Sequence, residues 1–551
     1  FLPQFQELRI SATSDRSENH PEGGAEGAVV AEEWFTPKKR ALLAPFGVGT
    51  VDQALLSVMR VKHGFVRLFG LGGKAVIVDE VHAYDTYTST LLERLLAWLG
   101  AMGSPVILMS ATLPAARRQA LVKAYAGRDV AVVPTRYPRL TWVSSDGSDT
   151  IHFAGGPIRK IELEWQVGDR AEIASRLVGV IRSGGCAAWI CNTVGQAQET
   201  YETLQRAATE AGLEVGSSGG DSLLLDLFHA HYPYRERQRR EARSIEAFGK
   251  EAKSRPERAI LVATQVVEQS LDVDFDLIVT EMAPVDLILQ RAGRLHRHPK
   301  TRRPKALSSP RLWMVAPPAG EQGPSFGSTS HIYDEYVLLK SWLALCDRTQ
   351  LNLPADTEEL IEGVYAEDEP AGVAAIIPAR GFTGRLQDAR RRMEQARVRS
   401  SQKGAARLIK APSHPDNILY AFDVDLEEED PTVHEAFRAL TRQGVSIQVI
   451  CLHAGQAGPA LDPEGRFPVD LSSKPGPYLV QELLLNSMRL SHEGLFRSVA
   501  ALPVPAGWRR CAYLRHSRPL IFHAGRCELG GWQLSLHDEL GLVISKEGGE
   551  P

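Results

Sequence analysis

The sequence predicts an α/β protein built on two doubly wound units, because apolar runs and amphipathic stretches alternate over residues 65–310. Two observations carry the first unit. The run Ala75-Val-Ile-Val78 ends in Asp79-Glu80, and the run Val106-Ile-Leu-Met109 ends in Ser110-Ala111-Thr112. Short, continuously apolar runs suit strands of a parallel sheet covered on both faces. The polar groups then fall at the carboxyl ends of the strands, where open α/β sheets bind ligands. The third observation is the repeat of the same pattern at Ala187–Ile190, Ala259–Ala263 and Leu277–Thr280, with a helical stretch at Gln196–Ala208.

Taken in order, residues 11–30 are rich in Ser, Gly, Glu and Asn and predict a surface loop, with order resuming at Trp34-Phe35 ahead of the basic Lys38-Lys39-Arg40. Thr50, flanked by glycine, precedes an amphipathic run and predicts a helix start with a capping hydroxyl. Such an N-terminus is either a phosphate site or a plain cap. Asp79 and Glu80 are open to two readings: a Mg²⁺ ligand beside a group that orients water, or an ordinary acidic turn. Helices are expected over Thr86–Leu99 and from Pro114 to about Ala126, and a polar boundary over 135–156. Gln290, Arg294 and Arg297 stand at i, i+4 and i+7, which predicts one shared helical face. That face is either a solvated basic surface or a grip for a γ-phosphate.

Beyond Pro299 the pattern changes. Residues 300–330 are punctuated by Pro, Gly and Ser, and Tyr333–Leu345 predicts a helix. Arg385 to about Arg399 predicts a basic helix broken at Ser400–Gly404, with its charge either solvated or tracking a strand. Asp423–Asp430 predicts an exposed acidic turn. The remainder predicts a small α+β unit with strands at 447–452, 532–536 and 542–545 and a helix over 479–490. His537-Asp538 is expected to be a turn rather than part of a metal site.

The 551 residues are 43% hydrophobic, enough for several cores. A net charge of −4 confines any nucleic-acid contact to local basic patches. Six cysteines without a C-x-x-C pair fit a reduced, cytoplasmic protein without a disulfide framework or zinc site. No signal peptide or membrane span is expected. The first residue is Phe1, so the chain is expected to be a processed or truncated form, or the ordered part of a longer one.

Four stretches in fixed order, Asp79-Glu80-Val81-His82, Ser110-Ala111-Thr112, Thr264 to Asp276 and Gln290 to Arg297, resemble motifs II, III, V and VI of superfamily 2 helicases. Gly49-Thr50 resembles motif Ib, and Cys191-Asn192-Thr193 motif IV. The wording at 49–55, 79–85, 263–276 and 290–298 resembles the CRISPR-associated helicase–nuclease of type I interference, which the Cascade surveillance complex recruits. The resemblance implies two RecA-like parallel-sheet domains, the first incomplete at its N-terminus, followed by a linker helix and a small α+β C-terminal domain. The boundaries expected on that basis are 1–135 for the first RecA-like domain, 136–310 for the second, 311–415 for a linker with a long basic helix, and 416–551 for an accessory domain.

The resemblance also implies roles. Asp79 would coordinate Mg²⁺, Glu80 would act on the hydrolytic water, and His82 would couple that site to Ser110 and Thr112. Gln290, Arg294 and Arg297 would meet the γ-phosphate of ATP, with Arg294 or Arg297 as arginine finger, and Asp272 would lie near the ribose. Thr50, Asp52, Gln53, Thr193 and Thr264 would line single-stranded DNA. A site split between two domains closes only with ATP bound, so hydrolysis can drive stepwise movement. The implied partners are single-stranded DNA and Cascade with its guide RNA and R-loop, without a membrane.

Two family parts are missing from the sequence. It contains no G-x-x-x-x-G-K-[ST], and its nearest approach, Gly70-Leu-Gly-Gly-Lys74, leads into a strand where a P-loop leads into a helix. Without a P-loop to cradle phosphates this chain alone is expected to bind nucleotide poorly and not to turn over, and the family's HD nuclease with its transition-metal cluster is expected to be missing too. The alternatives are another superfamily 2 motor, such as an RNA helicase or repair translocase, a non-catalytic nucleic-acid-binding or docking module, and a structural α/β pair.

Overall fold

The computed structural model describes residues 41–60, 64–81, 86–132, 136–216, 222–250, 255–268, 271–366, 381–413, 446–511 and 513–546. The expected loop at 11–30, Trp34-Phe35, Lys38–Arg40, His82 and the acidic run at 423–430 lie outside these residues. The chain divides into two compact units. One comprises 1–134, 141–150 and 395–440, and the other 135–140, 151–394 and 441–551.

The first unit contains α1 (Val51–Leu55), α2 (Gly64–Leu71), β1 (Val76–Val78), α3 (Thr86–Ala101), β2 (Val106–Leu108) and α4 (Ala115–Ala126). β1 and β2 pair in parallel, Val76 opposite Val106 and Val78 opposite Leu108. The leucines of α3 recur at helical spacing, and Leu91, Leu92, Leu95, Leu96 and Leu99 are all buried. Each contributes about 1.5–3 kcal/mol on burial. The register partners Ile77 and Ile107 share the other face of the pair and are exposed. Lys74, the lysine of the nearest P-loop approach, ties down the chain before α1. Its Nζ donates to the carbonyls of Leu42 and Ala44 at 2.5 and 2.6 Å, and desolvation lowers its pKa.

A hairpin, β3 (Arg139–Val143) and β4 (Ser148–His152), lies within the stretch expected to be a polar boundary. The second unit then carries an eight-stranded sheet. Its strands are β5 (Arg159–Gln166), β6 (Gly185–Ile190), β7 (Glu214–Val215), β8 (Ser222–Phe228), β9 (Arg258–Ala263), β10 (Leu277–Thr280), β11 (Arg311–Val315) and β12 (Gln350–Leu353). They lie in the order β12-β5-β11-β10-β6-β9-β8-β7, all pairs parallel except β12 on β5. Helices α5 (Arg170–Ile181), α6 (Val194–Glu210), α7 (Tyr234–Phe248) and α8 (Val285–Ala292) fill the crossovers. Every residue of β6 and β10 is buried, as expected of strands covered on both faces. The sheet runs past residue 310, where the sequence placed the start of a linker. β11, β12, α9 (Glu335–Leu345) and α10 (Thr357–Tyr365) pack their apolar faces into the same core.

The basic helix differs from expectation. α11 runs unbroken from Thr383 to Arg407, through Ser400–Gly404. It contains no proline, and a lone glycine costs only about 1 kcal/mol against alanine. Gly404 packs against α3, where a Cβ would make ordinary contact at 3.4 Å from Thr90 Cβ. From residue 395 the chain belongs to the first unit again, and beyond α11 Arg94 and Trp98 donate to the carbonyls of Ile409 and Lys410 at 2.9 and 3.0 Å.

At the C-terminus, β13 (Ile447–Gly455) carries β14 (Ser487–Leu490) antiparallel on one side and β15 (Arg518–Phe522) parallel on the other. The helix expected over 479–490 is α12 (Pro477–Leu485) followed by β14, because Asn486 leaves the helical region and the chain turns into strand pairing. A meander, β16 (Arg526–Leu529), β17 (Trp532–His537) and β18 (Gly541–Lys546), completes the part. His537 is the last residue of β17 and Asp538 opens the β17–β18 turn, which residues of the large sheet's unit clasp. Gln198 Nε2 donates to the carbonyls of Leu540 and Leu542 at 2.8 and 3.1 Å. Arg240 Nη2 donates to the Asp538 carbonyl at 2.8 Å, and His229 Nε2 lies 3.1 Å from the Leu540 carbonyl. No group of three metal-ligating side chains occurs among the described residues, and no helix among them is long and apolar enough to cross a membrane.

Candidate functional site

In the first unit the pairing of β1 and β2 continues past the strand ends. The Met109 N–H donates to the Val78 carbonyl and the Val81 N–H to the Met109 carbonyl, both at 2.9 Å. This brings Asp79-Glu80 beside Met109-Ser110. Both carboxylates are exposed. The Glu80 N–H donates to Asp79 Oδ1 at 2.8 Å, and Glu80 sits at φ +56°. Left-handed backbone at a non-glycine residue costs about 1–3 kcal/mol and clusters at functional sites. Ser110 Oγ accepts the Thr112 N–H at 3.3 Å, and the buried Thr112 hydroxyl has no hydrogen-bond partner among the described residues. Carboxylate and hydroxyl oxygens are a hard donor set that fits Mg²⁺ shared with phosphates.

Thr50 is extended and stands at the N-cap of the five-residue α1, but its hydroxyl makes no capping bond, contrary to expectation. Thr50 is exposed and Asp52 and Gln53 half-buried. Gln53 Oε1 accepts a 3.4 Å bond from the fully buried Arg67.

In the second unit, β6, β9 and β10 end in register, with Ile190 opposite Ala263 and Thr280 opposite Ile190. The residues that follow, Asn192-Thr193, Thr264-Gln265 and Glu281, therefore meet at one edge of the sheet. Thr193 caps α6 in a capping box with Gln196, its Oγ1 accepting the Gln196 N–H at 3.0 Å. Thr264 is buried. Gln265 Nε2 donates to the Asn192 carbonyl at 2.8 Å, and the Asn192 N–H donates to Glu281 Oε2 at 3.0 Å. Burial raises the Glu281 pKa against the opposing pull of Arg170, which lies 3.4 Å away.

The arginine stretch departs from the helical-face expectation. α8 ends at Ala292, so Gln290, Arg294 and Arg297 do not share a helical face. The chain leaves the helix because Leu295 pairs with Phe275. Phe275 N–H donates to the Arg294 carbonyl, and His296 N–H to the Phe275 carbonyl, both at 3.0 Å. His296 turns through φ +46°. Burial, reinforced by Arg303, lowers the His296 pKa to about 4. Arg294 Nη2 then donates to the Glu268 carbonyl at 2.8 Å. Arg297 Nε donates to Asp272 Oδ1 at 2.6 Å. Desolvation pushes the Asp272 carboxyl up, but the hydrogen bond and charge of Arg297, with His298 and Arg294 nearby, outweigh it and hold Asp272 below its ordinary value. The Gln290 amide nitrogen is buried without a partner among the described residues.

Sequence reasoning missed the groups that hold this edge together. Arg291 is fully buried. Its Nη2 lies 2.6 Å from Glu268 Oε1, and it donates to Thr280 Oγ1 at 2.6 Å and Asn192 Oδ1 at 3.2 Å. Burial opposes its charge, but Glu268 more than offsets this and raises its pKa. Asp274 and Asp276 are buried and take Arg255 and Arg303. One signal was available for the aspartates: each stands between aliphatic or aromatic neighbours, where a buried charge needs a partner.

A parallel sheet of this order, with polar segments converging at its carboxyl edge and an arginine stretch after the last crossover helix, defines a RecA-like unit of the helicase class. Comparison with known proteins narrows the class. Residues 183–300 match the family model for CRISPR-associated nuclease/helicase Cas3, C-terminal, and 443–542 the model for the Cas3 C-terminal domain. The chain is 38% identical to the CRISPR-associated endonuclease/helicase Cas3 of Thermus thermophilus over 94% of its own length and 59% of that protein. The structure of T. fusca Cas3-ADP superposes with a TM-score of 0.80 at 29% identity, covering 93% of this chain and 59% of that one. A chain of a CRISPR RNA-guided surveillance complex, pre-nicking, gives a TM-score of 0.74 at 28% identity, covering 93% of this chain and 62% of that one. The chain belongs to the CRISPR-associated Cas3 nuclease/helicase family. It spans 59% of the length of the Thermus relative.

Proposed function

We propose that the chain is the motor portion of a type I CRISPR interference effector, an ATP-driven translocase that unwinds target DNA along a single strand after recruitment by Cascade. The observation that carries the reading is the pair of polar edges. Asp79 and Glu80 stand beside Ser110 at the end of one parallel strand pair, and Thr193, Thr264, Arg294 and Arg297 belong to segments gathered around one sheet. ATP with Mg²⁺ would supply the hydrolysable phosphate and the charge that neutralises it. Asp79 would hold the metal, and Glu80 would orient or deprotonate water. Arg294 and Arg297 would exchange the Glu268 carbonyl and Asp272 for phosphate oxygens, where bidentate guanidinium contacts are strong. Thr50, Asp52, Gln53, Thr193 and Thr264 would contact the strand. The nuclease activity named for the relatives belongs, on this reading, to the intact protein. The 551 residues alone would not turn over ATP, because the sequence has no P-loop to cradle phosphates.

The test is ATP hydrolysis by the intact protein with and without single-stranded DNA, comparing wild type with Asp79→Ala. DNA-stimulated turnover reduced by about 10²-fold or more in the variant is expected for loss of a metal-holding carboxylate. Unchanged turnover sinks the assignment. Stimulation by RNA in place of DNA would transfer the reading to an RNA helicase.

A further inference from the structure

The fully buried ion pair between Glu268 and Arg291 lies outside the roles assigned above. A buried pair adds little net stability compared with apolar residues of similar volume, so its presence points to positioning. Arg291 bonds at once to segments following three different strands. It reaches Asn192 after β6, Glu268 after β9, and both the Thr280 hydroxyl at the end of β10 and the Glu281 carbonyl beyond it. Two of these segments carry the strand-contact candidates. Thr193 follows Asn192 directly, and Thr264 opens the turn that ends at Glu268. Glu268 faces the arginine stretch twice. Its carboxylate takes Arg291 at 2.6 Å, and its carbonyl accepts Arg294 Nη2 at 2.8 Å. The 264–268 turn is thus bonded at Glu268 both to the buried Arg291 and, through a part-buried bond, to the guanidinium that the proposed reaction requires.

We infer that Glu268 and Arg291 are positioning residues that couple strand contact at Thr193 and Thr264 to the placement of Arg294. Glu268 holds Arg294 on its carbonyl until strand binding shifts the turn, while Arg291 keeps the three strand ends moving as one body. The inference rests on the motor reading above. Two discrete arrangements biased by two ligands are what energetic coupling needs, and couplings of this kind span about 5–150-fold.

The experiment measures ATP hydrolysis by the intact protein, with and without single-stranded DNA, for wild type, Glu268→Gln and Thr280→Val, together with KM for ATP and thermal midpoints. Glu268→Gln is expected to lower DNA-stimulated kcat by about tenfold and to leave KM within about threefold. Thr280→Val removes one 2.6 Å acceptor from Arg291 at nearly constant volume. It is expected to reduce stimulation by about threefold, and it carries the test if Glu268→Gln does not fold. A lowered midpoint with the stimulation ratio unchanged overturns the inference in favour of a purely structural pair. A wild type without DNA stimulation overturns the motor reading itself, whereas stimulated wild type with equally stimulated variants overturns only the coupling.

Discussion

Asp272 and Asp274 are two residues apart and both bind Arg297, yet the structure gives them different weights. Asp274 is fully buried. It accepts the Arg297 backbone N–H at 2.7 Å and Arg303 Nη2 at 2.9 and 2.8 Å, with Arg255 at 3.6 Å. Asp274→Ala would leave Arg255 and Arg303 sharing Asp276 alone. Breaking a buried pair by removing one partner costs about 3–5 kcal/mol. Asp272 and Arg297 are 52% and 42% exposed, and exposed pairs contribute only about 0–1 kcal/mol. Thermal unfolding of the 551-residue chain, followed by fluorescence of its nine tryptophans, reads the difference. With about 2.1 cal/mol/K of unfolding entropy per residue over the second unit, the Asp274→Ala midpoint should fall by roughly 4–7 °C, against about 1 °C or less for Asp272→Ala. Asp274→Asn keeps an acceptor for the backbone N–H and should fall between them. Equal shifts for the two alanine variants would refute the claim that burial sets the energy of this cluster.

The clasp around the β17–β18 turn should be acid-sensitive. His231 belongs to the clasp as well: its carbonyl accepts the Leu542 N–H at 2.8 Å, and its own N–H donates to His229 Nδ1 at 3.1 Å. Burial, reinforced by the neighbouring His492, holds His231 at about 4, and burial with the neighbouring His231 holds His229 well below its ordinary value. Both imidazoles are therefore neutral in the folded state, and their full contribution is present above the unfolded value near 6.5. It is lost as pH falls from there toward 4, with His231 alone accounting for about 3 kcal/mol. Melting at pH 7.5 and pH 5 should show the loss, and a His231→Gln variant whose pH dependence matches wild type would refute the assignment. Thr193→Ala should cost about 0.5–2 kcal/mol by removing the α6 cap, while Thr193→Ser should retain most of it. If DNA affinity falls in the alanine variant but is kept in the serine variant, the hydroxyl serves the strand as well as the helix. Identical affinity in all three would confine Thr193 to capping.

Much of the site edge was legible because strands covered on both faces announce themselves as unbroken apolar runs. The polar residues that end such runs, Asp79, Ser110, Thr193 and Thr264, then fall at the carboxyl ends of the strands. Helical periodicity was equally direct in α3, whose five leucines all point inward. It failed at α8. Spacing placed Gln290, Arg294 and Arg297 on one face, but Leu295 pairs with Phe275 some twenty residues earlier, and that long-range bridge ends the helix. It failed in the opposite sense at α11, where serines and a glycine resemble a break. No proline interrupts α11, and serines with a single glycine there only lower helical propensity, so the helix runs on.

The order of the motifs, the residue types that carry charge and the alternation of elements belong to the sequence alone, because each is a local property of spacing and polarity. Which charges are paired does not. Arg291 looks like any surface arginine of a basic stretch until the ends of β6, β9 and β10 surround it with Asn192, Glu268 and Thr280. Only the folded sheet decides that it is buried. The same holds for His229, Gln198 and Arg240, which meet the β17–β18 turn across some three hundred residues of chain. Partners so distant in sequence leave no periodic trace, and the low dielectric that gives their bonds strength exists only after folding.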